Sequence, residues 1–195
     1  RYFMYTQVYF HRVRRIYDVH LKEFLIDWLT QEGKDGHFST HLENHLAIMD
    51  NEVTAAILAA ARDEGAAGHE PARRIVERDH YRLLYQRNPM DDTVNIDAAE
   101  EVFEAARKKF GSRNIQRDFR AAKGGGVDFP VLTEDGRVVS SLAMSETLRR
   151  LPEAAFDYVF VEPEQRESAE NWLRQNRDKI IEPAGKEEPD GTAQT

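Results

Sequence analysis

Residues 1–29 read RYFMYTQVYFHRVRRIYDVHLKEFLIDWL, and the spacing within this stretch decides the fold class. Apolar and aromatic residues recur at steps of three and four, which is typical of a long amphipathic helix with one buried face. The residues on that face are Tyr5, Val8, Tyr9, Val13, Ile16, Tyr17, His20, Leu21, Phe24, Leu25, Trp28 and Leu29. Because Arg1 precedes the pattern without a capping residue or an initiator Met, we expect the chain to be part of a longer protein.

Further helix signals follow in the first ninety residues. Asp50 precedes a helical pattern that runs toward Gly65, and Pro71 opens another that we expect to continue through Tyr85 to Asn88. Nothing in this stretch alternates as a half-buried strand does. The sequence therefore predicts an all-helical block over residues 1–90.

The pattern changes after residue 90. Asp97 precedes a predicted helix that ends at Gly111, and Asp135-Gly136 between two apolar runs predicts a β-hairpin. Two strand-like runs and a last helix are predicted at 114–121, 158–161 and 165–181. This mixture predicts a small α+β lobe over residues 91–182. Residues 183–195 are polar and are predicted to form a disordered tail.

The composition excludes several classes of protein. The chain of 195 residues has 35 acidic residues against 27 Lys and Arg, a net charge of −8, which argues against a general nucleic-acid-binding protein. It contains no cysteine, which excludes disulfides and zinc ribbons and suits a reducing compartment. No apolar run approaches the ~18 to 20 residues of a membrane helix. We expect a cytoplasmic protein without membrane partners.

Histidines are the natural candidates for a metal site. His37, His41 and His45 stand at four-residue intervals, so on one helix they would share a face and bind a metal together. Gly36 precedes them, Ser39-Thr40 weakens a helix, and no carboxylate falls at the spacing of the His-Glu-x-x-His motif. We predict no metal site in this chain, and a histidine-based metal protein remains an alternative.

A second pattern in the first helix combines arginine with tyrosine. Arg1, Tyr5, Tyr9 and Arg12 fall within one stripe of the predicted helix. Phenols stack on or hydrogen-bond a sugar or base, and the forked donors of arginine clamp phosphate oxygens. The stripe therefore suggests a binding surface. The alternative is an ordinary amphipathic helix whose arginines extend along its surface to water.

These residues resemble a known family. Residues 1–15, R-Y-x-M-Y-x-x-V-Y-x-H-R-x-x-R, are similar to a helix of the HD-domain phosphohydrolases of the deoxynucleoside triphosphate triphosphohydrolase (dNTPase) type. Residues 46–53 resemble the family's L-x-L-D-D entry to its next helix, and residues 76–82 resemble its R-x-x-Y-K segment. Residues 129–176 are similar in element order to its C-terminal lobe. The resemblance implies a mainly α fold, with residues 1–90 completing an HD-domain catalytic core and a small α+β lobe following.

The resemblance implies a metal-dependent hydrolase that converts a dNTP to a deoxynucleoside and tripolyphosphate. A divalent ion of the Mn, Mg or Fe class would be held by His, His-Asp and Asp ligands. None of the seven histidines here is followed by Asp, and Asp79-His80 has the order reversed. The resemblance therefore implies that the metal ligands lie upstream of Arg1 and that this chain holds no catalytic residue. We expect this chain alone to be inactive and the parent to be a homo-oligomer acting on nucleoside triphosphates.

The resemblance also implies residue roles in substrate binding. Arg1 matches an arginine that contacts the triphosphate, and Tyr9 matches a tyrosine that stacks on the sugar. Tyr5 lies between them and faces the same site. These three residues would form one wall of the nucleotide pocket.

Three more residues are candidates for an allosteric nucleotide site. His11 and Arg12 match positions that in some relatives line such a site between subunits, and Arg82 is grouped with them. A function from another class competes with all of these assignments. In that alternative the chain is a non-enzymatic helical interaction module, and the arginine–tyrosine stripe is its partner-binding face.

Overall fold

The structure is a computed structural model that describes residues 2–31, 36–121, 128–150 and 155–182. Helices dominate it and a small amount of sheet follows, so the predicted fold class, mainly α with a small α+β lobe, is confirmed. Within these ranges no helix has the length and apolar character needed to cross a bilayer. The predicted tail at 183–195 lies outside the described residues.

The chain divides into two compact units, each made of two chain segments. The first unit comprises residues 1–77 and 118–157, and the second comprises residues 78–117 and 158–195. The boundary near residue 90 stays a prediction.

The first unit is mostly helical. Its helices are α1 (Tyr2–Met4), a π-helical turn (Tyr5–Tyr9, the π segment), α2 (Arg12–Gln31), α3 (Leu42–Ala47), α4 (Asp50–Ala60), α5 (His69–Val76), α8 (Ser141–Met144) and α9 (Glu146–Arg150). Two short strands, β3 (Pro130–Leu132) and β4 (Val138–Ser140), form its hairpin.

The prediction of one continuous N-terminal helix is wrong at Phe10 and His11. The Phe10 N–H donates to the Tyr5 carbonyl, 2.7 Å away and five residues back, which closes a π turn. Phe10 is buried, with its ring centroid 4.8 Å from that of Phe156. This contact joins residues far apart in sequence, so helical periodicity gives no sign of it.

The core of the first unit lies where α2 and α4 pack on α5. Phe24, Ala60 and Ala72 are its buried residues. Gly68 precedes α5 with a φ of +73°, and a Cβ there would lie 2.8 Å from Cδ2 of Phe24. Glycine at this position therefore lets α5 start directly against the Phe24 ring.

The predicted hairpin is confirmed. β3 and β4 pair antiparallel, with Leu132 opposite Val138, and Gly136 occupies the turn with a φ of +77°. Asp128 closes the base of the hairpin, because its Oδ1 accepts hydrogen bonds from the hydroxyls of Ser140 (2.8 Å) and Ser141 (3.0 Å).

The second unit is the α+β part of the molecule. Its elements are β1 (Arg82–Gln86), α6 (Pro89–Asp92), α7 (Ala98–Phe110), a 3-10 turn (Pro163–Gln165) and α10 (Arg166–Ile181), with the first half of β2 (Ile115–Arg120) and most of β5 (Phe156–Val161). The sheet order is β1-β5-β2, and β1 pairs antiparallel with β5. Helices α7 and α10 pack on each other and on β1. The predicted helix ending at Gly111, the predicted strands and the last helix are confirmed.

The predicted helix from Pro71 through Tyr85 is wrong in its second half. Helix α5 ends at Val76, and residues 82–86 form strand β1. Arg78, with a φ of +61°, lies in the connection. The short apolar run Leu83-Leu84-Tyr85 fits a buried strand as well as a helix, and packing against α7 and α10 decides for the strand.

Candidate functional site

The π segment brings two predicted site residues together. The rings of Tyr5 and Tyr9, the tyrosine pair, lie with their centroids 5.5 Å apart and tilted by 50°. Tyr9 is 43% exposed, and Tyr5 is half-buried between Tyr9 and Phe10. π turns are rare and occur frequently at functional sites. The tyrosine pair therefore presents a partly exposed aromatic surface in an unusual backbone setting.

Arg14 is a component of this surface that sequence reasoning missed. Its Nη1 donates to the Tyr9 carbonyl at 2.7 Å, and its guanidinium carbon lies 5.7 Å from the centre of the Tyr9 ring. Its Nη2 lies 3.5 Å from a carboxylate oxygen of Asp18, and the side chain is 48% exposed. The result is a positive charge beside a phenol ring, which suits an anionic ligand that carries a flat or apolar part.

The other predicted site residues have mixed outcomes. Arg1 lies outside the described residues. His11 lies in the break before α2 and Arg12 is the first residue of α2, and both are exposed. The Val13 N–H donates to Nδ1 of His11 at 3.4 Å. The predicted stripe of Arg1, Tyr5, Tyr9 and Arg12 is therefore interrupted between Tyr9 and Arg12.

Arg82 belongs to the second unit, at the start of β1. Its Nη1 lies 3.1 Å from Nε2 of His80, and Nδ1 of the same ring lies 2.8 Å from the Tyr81 carbonyl. These contacts are local to residues 80–82.

The histidine series does not share one helix. His37 precedes α3, His41 occupies its N-cap and His45 lies inside it, and all three are exposed. Over residues 2–31, 36–121, 128–150 and 155–182, no three His, Asp or Glu side chains are placed to hold a metal ion together. The part of the chain that the structure describes therefore does not fit the divalent metal that the family resemblance implies.

The second unit contains a buried polar cluster around Tyr85. The Tyr85 hydroxyl donates to Oδ2 of the buried Asp91 at 2.6 Å, and Arg177 donates to the other oxygen of that carboxylate. Burial, together with the hydrogen bond to Asp91, raises the pKa of Tyr85 above its ordinary range. The cluster joins β1, α6 and α10, so it acts as a structural connection within the unit.

Comparison with known proteins finds similarity to solved structures. No family model matches the chain, and no curated protein matches it. The chain is similar to the crystal structure of a hypothetical protein from Aquifex aeolicus, with a TM-score of 0.70 and 26% identity. The match covers 88% of this chain and 42% of that chain, so this chain spans less than half the length of the relative.

Proposed function

We propose that this chain is the C-terminal portion of a metal-dependent HD-domain nucleotide phosphohydrolase, and that it supplies one wall of the nucleotide pocket. The observation that carries the proposal is the tyrosine pair on the π segment, with Arg14 beside Tyr9. The sequence resemblance supplies the reaction, hydrolysis of a dNTP to a deoxynucleoside and tripolyphosphate.

Each residue of the wall has a proposed role in binding. Tyr9 stacks on the deoxyribose, Tyr5 extends the aromatic surface, and Arg1 contacts the triphosphate. Arg14 adds a positive charge next to Tyr9 that favours a phosphorylated ligand over a neutral nucleoside. His11, Arg12 and Arg82 are proposed for a separate allosteric nucleotide site.

The metal belongs to another part of the parent protein in this proposal. As the resemblance implies, a divalent ion of the Mn, Mg or Fe class would be bound by residues upstream of this chain, and no metal site is found among the residues that the structure describes. A match to 42% of a longer solved chain agrees with such a partial protein. The parent is proposed to be a homo-oligomer, and the absence of cysteine favours a cytoplasmic location.

The test is steady-state kinetics of the parent protein, with tripolyphosphate release from each dNTP measured in Mn²⁺ or Mg²⁺. Tyr9→Ala removes a stacking contact and Arg1→Ala a charge-assisted contact, each worth roughly 1.5 to 3 kcal/mol, or about 10- to 150-fold in kcat/KM. Phe129→Ala, which truncates an exposed aromatic residue near the hairpin, is the matched control and should leave kcat/KM unchanged.

Two results would contradict the proposal. One is wild-type kcat/KM in both Tyr9→Ala and Arg1→Ala variants that fold normally and keep their metal. The other is tripolyphosphate release by the purified 195-residue chain alone, since we expect that chain to be inactive.

A second candidate function is favoured by a different observation. Phe3, Met4 and Val8 in and around the π segment are 74%, 50% and 48% exposed. Apolar side chains so exposed in one segment are typical of a surface that packs on a protein partner. If the parent releases no tripolyphosphate from any dNTP with either metal, this interaction module becomes the better description.

A further inference from the structure

The tyrosine pair rests on a buried aromatic residue. Phe10 is 5% exposed, and its ring centroid lies 5.3 Å from that of Tyr5 and 4.8 Å from that of Phe156. The guanidinium carbon of Arg120 lies 5.3 Å from the centre of the same ring. Phe10 therefore connects the exposed tyrosine pair to the interior of the first unit.

The Phe156 ring is in turn covered by Arg15, whose guanidinium carbon lies 4.9 Å from the ring centre. Arg15 binds Asp118 with two parallel hydrogen bonds, from Nε to Oδ2 at 2.7 Å and from Nη2 to Oδ1 at 3.0 Å. Its Nη1 donates to Asp18 at 2.9 Å. A bidentate arginine–carboxylate pair fixes orientation as well as charge. Asp118, Asp18 and the Phe156 ring together therefore fix the orientation of the Arg15 guanidinium.

These contacts form one continuous series within the first unit, from Asp118 through Arg15, Phe156 and Phe10 to the tyrosine pair. The π turn needs such support, because regular α-helical hydrogen bonding is the more favourable local pattern. One residue corresponds to about 100° of rotation around an α-helix, so a return to that pattern would turn Tyr5 and Tyr9 relative to α2.

From this series we infer that Phe10 and Arg15 are positioning residues, which hold the π segment in the geometry that presents Tyr5 and Tyr9 to a nucleotide. The inference rests on the proposed function for the nature of the ligand. It adds two residues that do not touch the ligand but set the affinity for it, because they determine where the tyrosine rings lie.

The first experiment needs no ligand and uses the full 195-residue chain labelled with 3-fluorotyrosine. Tyr5→Phe and Tyr9→Phe assign the fluorine resonances of the pair. Arg15→Ala should shift or broaden both resonances and leave that of Tyr85 in place, and Arg15→Lys should do so less, because lysine keeps the charge without the bidentate geometry. Arg166→Ala, which removes a one-carboxylate pair with Glu170, is the control.

Phe10 is tested with two variants, Phe10→Ala and Phe10→Leu, because the cavity that Phe10→Ala opens destabilises the segment as well as removing the ring contacts. Phe10→Leu keeps an apolar side chain in the site and removes the ring contacts with Tyr5 and Phe156. It should move the same two fluorine resonances while the melting curve stays cooperative.

The second experiment uses the parent protein. Arg15 positions Tyr9, whose stacking on the nucleotide is proposed to be present in both the ground state and the transition state. Arg15→Ala should therefore raise KM for a dNTP about 5- to 20-fold and change kcat less than about 2-fold. Arg15→Lys should recover part of the wild-type KM.

The outcomes separate this inference from the proposed function. If the Tyr5 and Tyr9 resonances stay in place in both Arg15→Ala and Phe10→Leu, the positioning role is wrong whatever the kinetics show. If those resonances move but Tyr9→Ala itself leaves kcat/KM unchanged, the positioning of the pair is supported and the proposed function fails. Moved resonances with a raised KM support both.

Discussion

Tyr9 in the first unit and Tyr85 in the second place the same side chain in opposite surroundings. Tyr9 is 43% exposed, packs on the ring of Tyr5 and lies beside the guanidinium of Arg14. Tyr85 is 6% exposed, and its hydroxyl donates to the carboxylate of Asp91. Both tyrosines belong to apolar patterns in the sequence, so the patterns alone do not separate them.

The difference lies in what each hydroxyl and ring contribute to folding. A buried hydroxyl must be paired, because an unpaired polar group in the interior costs about 1 to 3 kcal/mol. The hydrogen bond from Tyr85 to Asp91 therefore contributes to the stability of the second unit. Tyr9 keeps contact with water, so its ring is accessible to a ligand at little cost in stability.

The largest expected effect is on the free energy of unfolding and concerns the partner of the buried Tyr85. Asp91→Ala removes the acceptor shared by Tyr85 and Arg177 and should lower the free energy of unfolding by about 2 to 4 kcal/mol in urea denaturation. Glu146→Ala, which removes an exposed carboxylate paired with Arg150, should cost under about 0.5 kcal/mol. A loss below about 1 kcal/mol in Asp91→Ala would show that Tyr85 is no more tied to folding than Tyr9.

A matched pair of hydroxyl deletions sharpens the comparison. Tyr85→Phe should destabilise the protein by about 1 to 1.5 kcal/mol, because it removes a buried hydrogen bond. Tyr9→Phe should change stability by less than about 0.3 kcal/mol, since a hydroxyl in contact with water is hydrated in both the folded and the unfolded state. Thermal and urea unfolding of both variants give the two values, and equal losses would remove the distinction.

The buried tyrosine of this comparison, Tyr85, should also make the stability of the protein depend on pH at high pH. The pKa of Tyr85 is raised in the folded state, so its contribution is complete below the unfolded pKa and is lost as pH rises toward the folded pKa. With an unfolded pKa near 10, on the order of 1 kcal/mol should be lost between pH 9 and pH 10.5 through this group. Tyr85→Phe should lose that much less stability over the same range, which urea unfolding at pH 9 and at pH 10.5 measures.

The smallest expected effect is that of added zinc, which tests whether the candidate site lies at the histidines instead of at the tyrosine pair. If His37, His41 and His45 formed a structural zinc site, added Zn²⁺ would raise the melting temperature and bind stoichiometrically. We expect no such shift, because the three side chains are exposed and only His45 lies within α3. Stoichiometric zinc in the purified chain, lost on His41→Ala, would move the candidate site from the tyrosine pair to the histidines.

Local sequence signals predicted much of the fold. Asp135-Gly136 marked the hairpin because its turn needs the left-handed backbone that Gly136 adopts, and Gly111 marked the end of α7 for a similar reason. Strand β1 was missed because three consecutive apolar residues have no period, and the helices that cover them determine their conformation.

The candidate site was only partly predictable for the same reason. Helical spacing placed Tyr5 and Tyr9 near each other, and their rings are in contact. At the break, Phe10 packs against the ring of Phe156, a residue more than one hundred positions away, and no local pattern encodes that contact. Arg14 was missed because it reaches Tyr9 across the break, at a spacing of five that a regular helix does not bring together.

The pairing of Arg15 with Asp118 sets an order of events during synthesis. The two residues are 103 positions apart, and at roughly 5 to 20 residues per second a ribosome needs about 5 to 20 s to travel from one to the other. Phe156 emerges later still. Until then the ring contact between Phe10 and Phe156 is missing, so the nascent segment around Phe10 lacks one of the supports of its π turn. We therefore expect the tyrosine pair to take its final arrangement only after the strand that carries Phe156 has left the ribosome.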